Sequence, residues 1–179
     1  MTVSDLDRGQ RTESRIALRM PAREDGAGIH ALIRDCDPLD ENSMYCNLLQ
    51  CDHFRDSCVV AEMDGRIVGW ISAYVMPNDP ETLFVWQVAV DEAARGTGLA
   101  RKMLTHLLER DICRGVRRLQ TTITTDNAAS WGLFSRIADH VGGTLDSQAY
   151  FRQDDHFRGE HATEHLVTIR VSDALTLVA

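Results

Sequence analysis

The chain has 179 residues, 44% of them hydrophobic and 26% charged, so it is long enough for one domain whose core needs no disulfide or metal. Its formal net charge of −8 at pH 7 is opposite in sign to the basic face of most nucleic-acid-binding proteins. No apolar segment approaches the about 20 residues that span a bilayer. We therefore expect no nucleic-acid partner and no membrane.

The two ends of the chain are predicted to lie outside the folded domain. Residues 1–15 are polar and lack the apolar segment of a secretory signal, so we predict a disordered N-terminal tail. A single domain over residues 16–172 follows, and then a short tail over residues 173–179. Five cysteines form no CxxC pair, and an odd number fits no complete disulfide framework. We therefore expect reduced thiols and a cytoplasmic protein.

A strand, two helices and a hairpin form the first half of the domain. Apolar periodicity predicts, in order, a strand over Ile16–Pro21, a helix over Glu24–Cys36 and a helix over Ser43–Phe54. Pro38 ends the first helix, and Ser43 is the expected N-cap of the second. Two β-rich segments then meet at Asp64-Gly65, the strongest hairpin signal in the chain.

Strands and helices alternate in the second half. The patterns predict a strand over Thr82–Val90, a helix through Ala100–Leu108, a strand over Arg117–Thr125, a helix over Asp126–Gly143, and strands over Thr144–Phe151 and His165–Val171. The complete order is βααβββαβαββ, which indicates an α/β domain built on a mixed sheet.

A glycine-bearing turn joins the fourth strand to the third helix. Gly96 and Gly98 allow a ligand to approach the backbone closely, and the helix that follows offers free N–H groups to an anion. A dinucleotide-binding turn would instead follow the first strand, and a Walker loop would need Gly-Lys-Ser/Thr. The pyrophosphate of a nucleotide or a free phosphate remains possible as the ligand, and a helix cap without any ligand is the alternative.

The pattern Arg95-x-x-Gly98-x-Ala100 at this place resembles the acyl-CoA-binding signature of the GCN5-related N-acetyltransferase (GNAT) superfamily. The resemblance covers about Ile16 to Val171 and implies the GNAT fold. That fold is an α/β (α+β) structure with a mixed, mostly antiparallel sheet of about seven strands flanked by four helices. It also implies a bulge near Val88–Val90 and a splay between the fourth and fifth strands.

The same resemblance implies acetyl-CoA as a co-substrate and no metal. Main-chain groups of Val88 and Val90 would pair with the pantetheine arm and the thioester carbonyl, where a fixed N–H donor stabilises an oxyanion. The implied CoA-binding residues are Val88, Ala89, Val90, Arg95, Gly96, Thr97, Gly98, Leu99, Ala100 and Asn127.

The fourth helix contains one match to the superfamily and one departure. Asn127 matches an asparagine that usually touches the cofactor arm, although an N-cap role fits equally well. In many members a tyrosine seven residues later protonates the departing thiolate, and here that position is Phe134. The general acid is therefore unassigned, with water, Tyr45 and Tyr150 as the candidates.

Two acidic segments lie where the resemblance to this superfamily implies the acceptor site. They suit a small cation that carries more than one ammonium group, and solvated loops are the alternative. Their acidic residues are Asp37, Asp40 and Glu41 in the first segment, and Asp154, Asp155, Glu160 and Glu164 in the second.

The segments DxNSxYxNLL, FVWQVAVD and DDHFxxEHxxEHL are similar to the L-2,4-diaminobutyrate acetyltransferases of ectoine biosynthesis. This resemblance implies acetyl transfer from acetyl-CoA to the 4-amino group of L-2,4-diaminobutyrate. The product, N4-acetyl-L-2,4-diaminobutyrate, would be cyclised by ectoine synthase, and the enzyme would be a homodimer. The implied substrate-binding residues are Asp40, Tyr45, Trp86, His161 and Glu164.

The chemistry of these residue types fits that reaction. An ammonium group must lose a proton before it attacks, and Asp40 or Glu164 can hold the cation and help to remove the proton. Tyr45 can hydrogen-bond to the substrate, so we predict Asp40, Glu164 and Tyr45 as the catalytic residues. Trp86 can make a cation–π contact or simply pack in the core.

Zinc chemistry is the rival interpretation of the last acidic segment. His161-Ala-Thr-Glu164-His165 fits the H-x-x-E-H pattern of inverted zinc peptidases, which needs both histidines on one helix face. Here the pattern leads into a β-like segment, so we expect no metal. A GNAT enzyme for another small amine, such as a polyamine or aminoglycoside, and a non-catalytic CoA-binding regulator are the alternative functions.

Overall fold

The computed structural model describes residues 16–36 and 39–171. Both predicted tails, and also Asp37 and Pro38, lie outside these ranges. The helices are α1 (Gly26–Arg34), α2 (Met44–His53), α3 (Leu99–Leu108) and α4 (Ala128–His140). The strands are β1 (Ala17–Arg19), β2 (Val59–Met63), β3 (Arg66–Met76), β4 (Asp79–Val90), β5 (Arg118–Thr124), β6 (Thr144–Phe151) and β7 (Glu164–Arg170). The predicted order of elements is confirmed.

All the described strands belong to one seven-stranded sheet with the order β1-β2-β3-β4-β5-β7-β6. Every neighbouring pair is antiparallel except β4 and β5, which run parallel. Residues Thr82–Phe84 pair with Arg118–Gln120, and beyond this short contact the two strands diverge. The predicted splay between the fourth and fifth strands is therefore present, and it opens a gap in the middle of the sheet.

Two tight turns connect β2, β3 and β4. Asp64 and Gly65 both have positive φ angles, 51° and 76°, as the predicted two-residue hairpin turn requires. The fourth strand was predicted to begin at Thr82, but β4 begins at Asp79. The register between β3 and β4 is irregular there, and such a bulge accommodates a proline within a strand.

The bulge predicted near Val88–Val90 lies instead at Trp86. Consecutive residues of β3 pair with Gln87 and Val85, which leaves Trp86 without a partner on that strand. The apolar alternation of β4 continues on both sides of the bulge, so the sequence pattern does not reveal its position.

This bulge reverses the direction in which the side chains of β4 point. Alternate residues of a strand face opposite sides of the sheet, and one extra residue exchanges the two sides. Before the bulge, Leu83 and Val85 lie in the core beneath α3 and α4. After it, Ala89 lies in the core beneath α1 and α2. Gln87, two residues before Ala89, consequently faces the α1 and α2 side.

The helices begin close to where the sequence predicts. Ser43 caps α2, its Oγ accepting a hydrogen bond from the N–H of Cys46 at 3.2 Å. The first predicted helix is shorter than expected, because residues 23–25 form a 3₁₀ turn before α1. In that turn the Asp25 carboxylate accepts hydrogen bonds from Arg19 and from the N–H of Ala22. Among the residues described, no helix is long and apolar enough to cross a membrane.

Candidate active site

The turn between β4 and α3 presents free main-chain donors. Gly96 and Gly98 have φ angles of 76° and 78°, a conformation that strongly favours glycine. Gly98 is the N-cap of α3, and the N–H of Lys102 donates to its carbonyl at 3.0 Å. The amides between these two residues precede that bond, so they have no partner within the helix. Such amides at a helix N-terminus bind anions well.

Two side chains hold this turn in place. Arg95 donates from Nε to the carbonyl of Val90 at 3.0 Å, and Thr97 donates from Oγ1 to the carbonyl of Ala94 at 2.7 Å. Both bonds join the turn to the segment just before it. The two residues therefore shape the turn, and the charged end of Arg95 remains exposed.

A cavity of about 740 Å³ lies beside the turn and against the open side of β4. The ends of α1, β4 and the starts of α3 and α4 all contribute to its wall. The predicted CoA-binding residues that line it are Val88, Val90, Arg95, Gly96, Gly98, Leu99, Ala100 and Asn127. Two predicted residues do not reach it: Ala89 lies in the core beneath α1 and α2, and the Thr97 hydroxyl turns back to the turn itself.

The backbone of β4 offers hydrogen-bonding groups to this cavity. The N–H of Asp91 donates to the carbonyl of Val68 on β3 at 2.9 Å. Because paired residues alternate along an antiparallel ladder, Ala89 is bonded to β3 and the main-chain groups of Val88 and Val90 point away from it. They point into the gap left by β5. The carbonyl of Val90 already accepts from Arg95 Nε and Cys36 Sγ, so the open groups are the N–H of Val90 and both main-chain groups of Val88. An extended ligand arm in the gap can therefore bond to β4 as a neighbouring strand would.

Three of the five predicted acceptor residues meet in one cluster. His161 Nε2 lies 3.6 Å from Asp40 Oδ2 and 3.9 Å from Glu164 Oε1. The other ring nitrogen, Nδ1, lies 2.7 Å from the carbonyl oxygen of Ala162. A carbonyl only accepts, so Nδ1 carries a proton and Nε2 faces the two carboxylates. We call Asp40, His161 and Glu164 the acceptor cluster.

Glu164 is the least exposed member of the acceptor cluster. Its side chain is 18% exposed, against 86% for Asp40. Its Oε2 is buried without a hydrogen-bond partner among the residues described. Burial raises the pKa of the Glu164 carboxyl above its usual value, and the nearby His161 opposes the rise. A buried carboxylate oxygen without a partner is costly, and a bound ammonium group would satisfy it.

The acceptor cluster adjoins the cavity through one stretch of chain. Leu39 lines the cavity, and the next residue, Asp40, belongs to the acceptor cluster. A turn with free main-chain amides, an open strand edge and a carboxylate cluster thus share one region of the molecule.

Comparisons with known proteins agree with this geometry. Residues 27–138 match the acetyltransferase (GNAT) family. The chain is 50% identical over 157 residues to the L-2,4-diaminobutyric acid acetyltransferase of Halomonas elongata, covering 87% of this chain and 81% of the relative. It is 47% identical over 154 residues to the enzyme of that name from Methylotuvimicrobium alcaliphilum, covering 86% of this chain and 90% of the relative. The chain belongs to the L-2,4-diaminobutyric acid acetyltransferases of the GNAT family.

A solved structure supports the same assignment. The diaminobutyrate acetyltransferase from Paenibacillus lautus, in complex with its substrate L-2,4-diaminobutyric acid and coenzyme A, is similar with a TM-score of 0.85. The two chains are 38% identical, and the similarity covers 93% of this chain and 99% of that one. The predicted GNAT fold and family are confirmed.

The start of α4 in this acetyltransferase satisfies both interpretations of Asn127. Its Oδ1 accepts a hydrogen bond from the N–H of Ser130 at 3.0 Å, so it is an N-cap, and the residue also lines the cavity. Phe134, at the position of the usual tyrosine, is buried in the core beneath α3 and α4. It lacks a hydroxyl and does not line the cavity, so the general acid stays unassigned.

Tyr45 and Trp86 are the two remaining predicted acceptor residues. In the described structure neither side chain forms a hydrogen bond or an ion pair with the acceptor cluster. Their exposed fractions, 69% and 48%, show that neither packs in the core of this acetyltransferase. Core packing, the alternative for Trp86, is therefore wrong. Their roles in acceptor binding stay predictions.

The zinc-peptidase pattern does not have the geometry that zinc chemistry needs. His161 precedes β7, whereas Glu164 and His165 are its first two residues and so point to opposite faces of the sheet. The three side chains therefore do not share the face of a helix.

Three of the five cysteines are poor nucleophiles in this acetyltransferase. Burial raises the pKa of Cys58 to about 12 and the pKa values of Cys51 and Cys113 to about 11, so these thiols are not ionised at neutral pH.

Sequence reasoning missed two cationic residues of the cavity. Arg101, in the first turn of α3, and Arg136, in α4, both line its wall. The signature concerns the backbone of the turn, so it gives no signal for side chains. In the sequence, β5 separates Arg136 from the turn. The two lie close together only in the folded structure.

Proposed function

We propose that this enzyme transfers the acetyl group of acetyl-CoA to the 4-amino nitrogen of L-2,4-diaminobutyrate, giving N4-acetyl-L-2,4-diaminobutyrate. One observation supports this function most directly. In a member of this family, the acceptor cluster lies beside a cavity that has free turn amides and an open strand edge. The donor occupies the cavity and the diamine occupies the acceptor cluster.

The cavity holds acetyl-CoA by its phosphates and its extended arm. The free amides between Gly98 and Lys102 bind the pyrophosphate, and Arg101 and Arg136 neutralise phosphate charge. The arm then lies along β4 and bonds to the main chain of Val88 and Val90. A fixed N–H from this strand stabilises the oxyanion that forms on the thioester carbonyl.

The acceptor cluster receives the cationic amine and its proton. Glu164 offers a buried, unpaired carboxylate oxygen to the ammonium group, and its raised pKa makes it a better proton acceptor than an ordinary carboxylate. The freed amine attacks the thioester carbonyl carbon, and a C–N bond forms. The tetrahedral intermediate then collapses and the C–S bond breaks. CoA leaves as a thiolate and takes up the proton that the attacking nitrogen loses as it becomes the amide. Asp40 and His161 hold the second ammonium group of the substrate, the one that is not acetylated.

Turnover against a panel of amines tests this function. The purified enzyme is given acetyl-CoA with L-2,4-diaminobutyrate, a polyamine or an aminoglycoside, and mass analysis identifies the modified nitrogen. We expect the highest kcat/KM for L-2,4-diaminobutyrate, with the acetyl group on the 4-amino nitrogen. Preference for another amine would replace this substrate. CoA binding without turnover of any amine would favour a non-catalytic regulator.

We also propose that the product feeds ectoine synthesis in the cytoplasm and that the enzyme is a homodimer. Exposed aromatic side chains support a contact with a second copy. The exposed Phe54 has its ring centroid 6.3 Å from that of the half-buried Tyr74. Tyr150 and Phe151, on the exposed strand β6, have ring centroids 4.4 Å apart. Light scattering at assay concentration is expected to give twice the mass of the chain. A monomer would refute the dimer without affecting the reaction.

A further inference from the structure

Gln87 is a buried polar residue on the acceptor side of the sheet. Its exposed fraction is 7%, and the bulge at Trp86 turns it away from the core beneath α3 and α4. Its partner across β3 is Ser72, which is also buried and polar. A buried amide is tolerated when its hydrogen-bonding groups are satisfied, so the partners of Gln87 indicate its role.

Both ends of the Gln87 amide bond to the segment that precedes α2. Nε2 donates to the main-chain carbonyl of Asp40 at 2.9 Å, and Oε1 accepts from Nδ2 of Asn42 at 3.2 Å. Residues 39–43 have no helix or strand of their own. The two bonds therefore fasten this segment to β4, between Leu39 at the cavity and the N-cap Ser43.

We propose that Gln87 is a positioning residue for the amine acceptor. By holding the main chain of Asp40 and the side chain of Asn42, it fixes the Asp40 carboxylate against His161. Gln87 bonds to the main chain of Asp40 and forms no hydrogen bond with a side chain of the acceptor cluster in the described structure, so it acts through the segment it holds. The role rests on the proposed function, because it concerns the site at which the diamine binds.

Glutamine is suited to this task because it offers a donor and an acceptor in one side chain. Glutamate would lose the donor that holds Asp40, and methionine would lose both groups while nearly keeping the length. The bulge at Trp86 is equally necessary, because without it the amide would point into the opposite core.

Gln87→Met tests the role in steady-state kinetics. Both hydrogen bonds to the Asp40 segment are lost, so we expect KM for L-2,4-diaminobutyrate to rise roughly tenfold, which corresponds to about 1.4 kcal/mol. We expect kcat and the Kd of CoA to stay within about twofold. Asn42→Ala removes one of the two bonds and is expected to raise KM less.

Gln50→Met is the matched control. Gln50 is a buried glutamine of α2 that accepts a hydrogen bond from Asn47 at 3.1 Å and has no bond to residues 39–43. We expect its KM for the diamine to equal that of the wild type. An equal rise in both variants would show a general loss of packing and would overturn the proposal.

A double-mutant cycle separates positioning from stability. Asp40→Asn already weakens the contact between Asp40 and the diamine. In that background, Gln87→Met can weaken the same contact only a little further. We therefore expect it to raise KM by less than about threefold in that background. Full multiplication of the two effects would contradict positioning through Asp40.

Hydrogen exchange tests the fastening without any substrate. We expect amides in a peptide covering residues 39–43 to exchange at least about tenfold faster in Gln87→Met and in Asn42→Ala than in wild type or Gln50→Met. Unchanged exchange in both variants would refute the proposal, and Asn42→Ala keeps the test valid if Gln87→Met does not fold. Failure of wild-type enzyme to acetylate the diamine would refute the proposed function instead, and leaves the exchange result standing.

Discussion

Replacing Gly98 with valine isolates the contribution of the turn to CoA binding. Gly98 has a φ of 78°, and a Cβ at this position would meet no heavy atom within 4 Å. The substitution therefore causes backbone strain without a clash. A non-glycine residue in this conformation costs about 1–2 kcal/mol, somewhat more when β-branched. For a chain of this length we expect the Tm to fall by roughly 2–8 °C.

The effect on CoA is separate from this strain. The valine methyl groups would project beside the free amides, where the pyrophosphate must approach closely. We expect the Kd of CoA, measured by calorimetry on folded protein, to rise tenfold or more, which corresponds to at least about 1.4 kcal/mol.

Gly65→Val is a matched control for the same measurement. Gly65 has a φ of 76°, likewise has no heavy atom within 4 Å of its Cβ position, and lies in the β2–β3 turn. It should lose similar stability and keep its affinity for CoA. Unchanged CoA affinity in Gly98→Val, or an equal loss in both variants, would refute the reasoning and remove the turn from the site.

Three further predictions concern the acceptor cluster and metal. We expect Asp40→Asn or Glu164→Gln to lower kcat/KM for the diamine roughly 10²-fold, because the ammonium group loses a charge-assisted partner. CoA binding should stay intact. Losses of only a few-fold in both variants would contradict the assignment. Burial raises the pKa of the Glu164 carboxyl in the folded state above its unfolded-state value. The buried carboxyl therefore costs no stability below the unfolded-state pKa, and this cost grows as the pH rises through the folded-state pKa. The Tm of Glu164→Gln should therefore exceed that of wild type more at pH 7 than at pH 4, and an equal difference at both pH values would count against this origin. Activity should survive dialysis against a strong chelator, and its loss with recovery on adding zinc would reverse the assignment of His161 and Glu164.

Local signals in the sequence predicted most of the fold. Some features depend on backbone conformations or caps that few residue types favour, so the residue types at those positions reveal them. Examples are the Asp64-Gly65 turn, the Ser43 cap and the glycines at the start of α3. The start of β4 was misplaced because proline and asparagine are equally common in loops and in tight turns. Such residues mark a reversal of the chain without giving its length.

Contacts distant in sequence were less accessible. The meeting of Asp40 with His161 and Glu164 was expected only through the family resemblance, since more than a hundred residues separate them along the chain. The bonds from Gln87 to the Asp40 segment gave no signal, because they depend on a bulge that leaves the apolar alternation unchanged. A one-residue irregularity of the backbone thus decides which face of the sheet receives a polar group.

The gap between β4 and β5 also sets a limit on the shape of the donor. Neighbouring strands of a sheet lie about 4.8 Å apart, so a guest that bonds to β4 as a strand would must present an extended chain with amide groups at that distance. The start of α4 and the turn before α3 stand on either side of this slot. A pantetheine arm has two amides suited to such bonds, and in the proposed complex it would extend the interrupted sheet from outside the protein. Recognition of the acyl carrier would then depend on main-chain hydrogen bonds, whereas recognition of the amine would depend on charge.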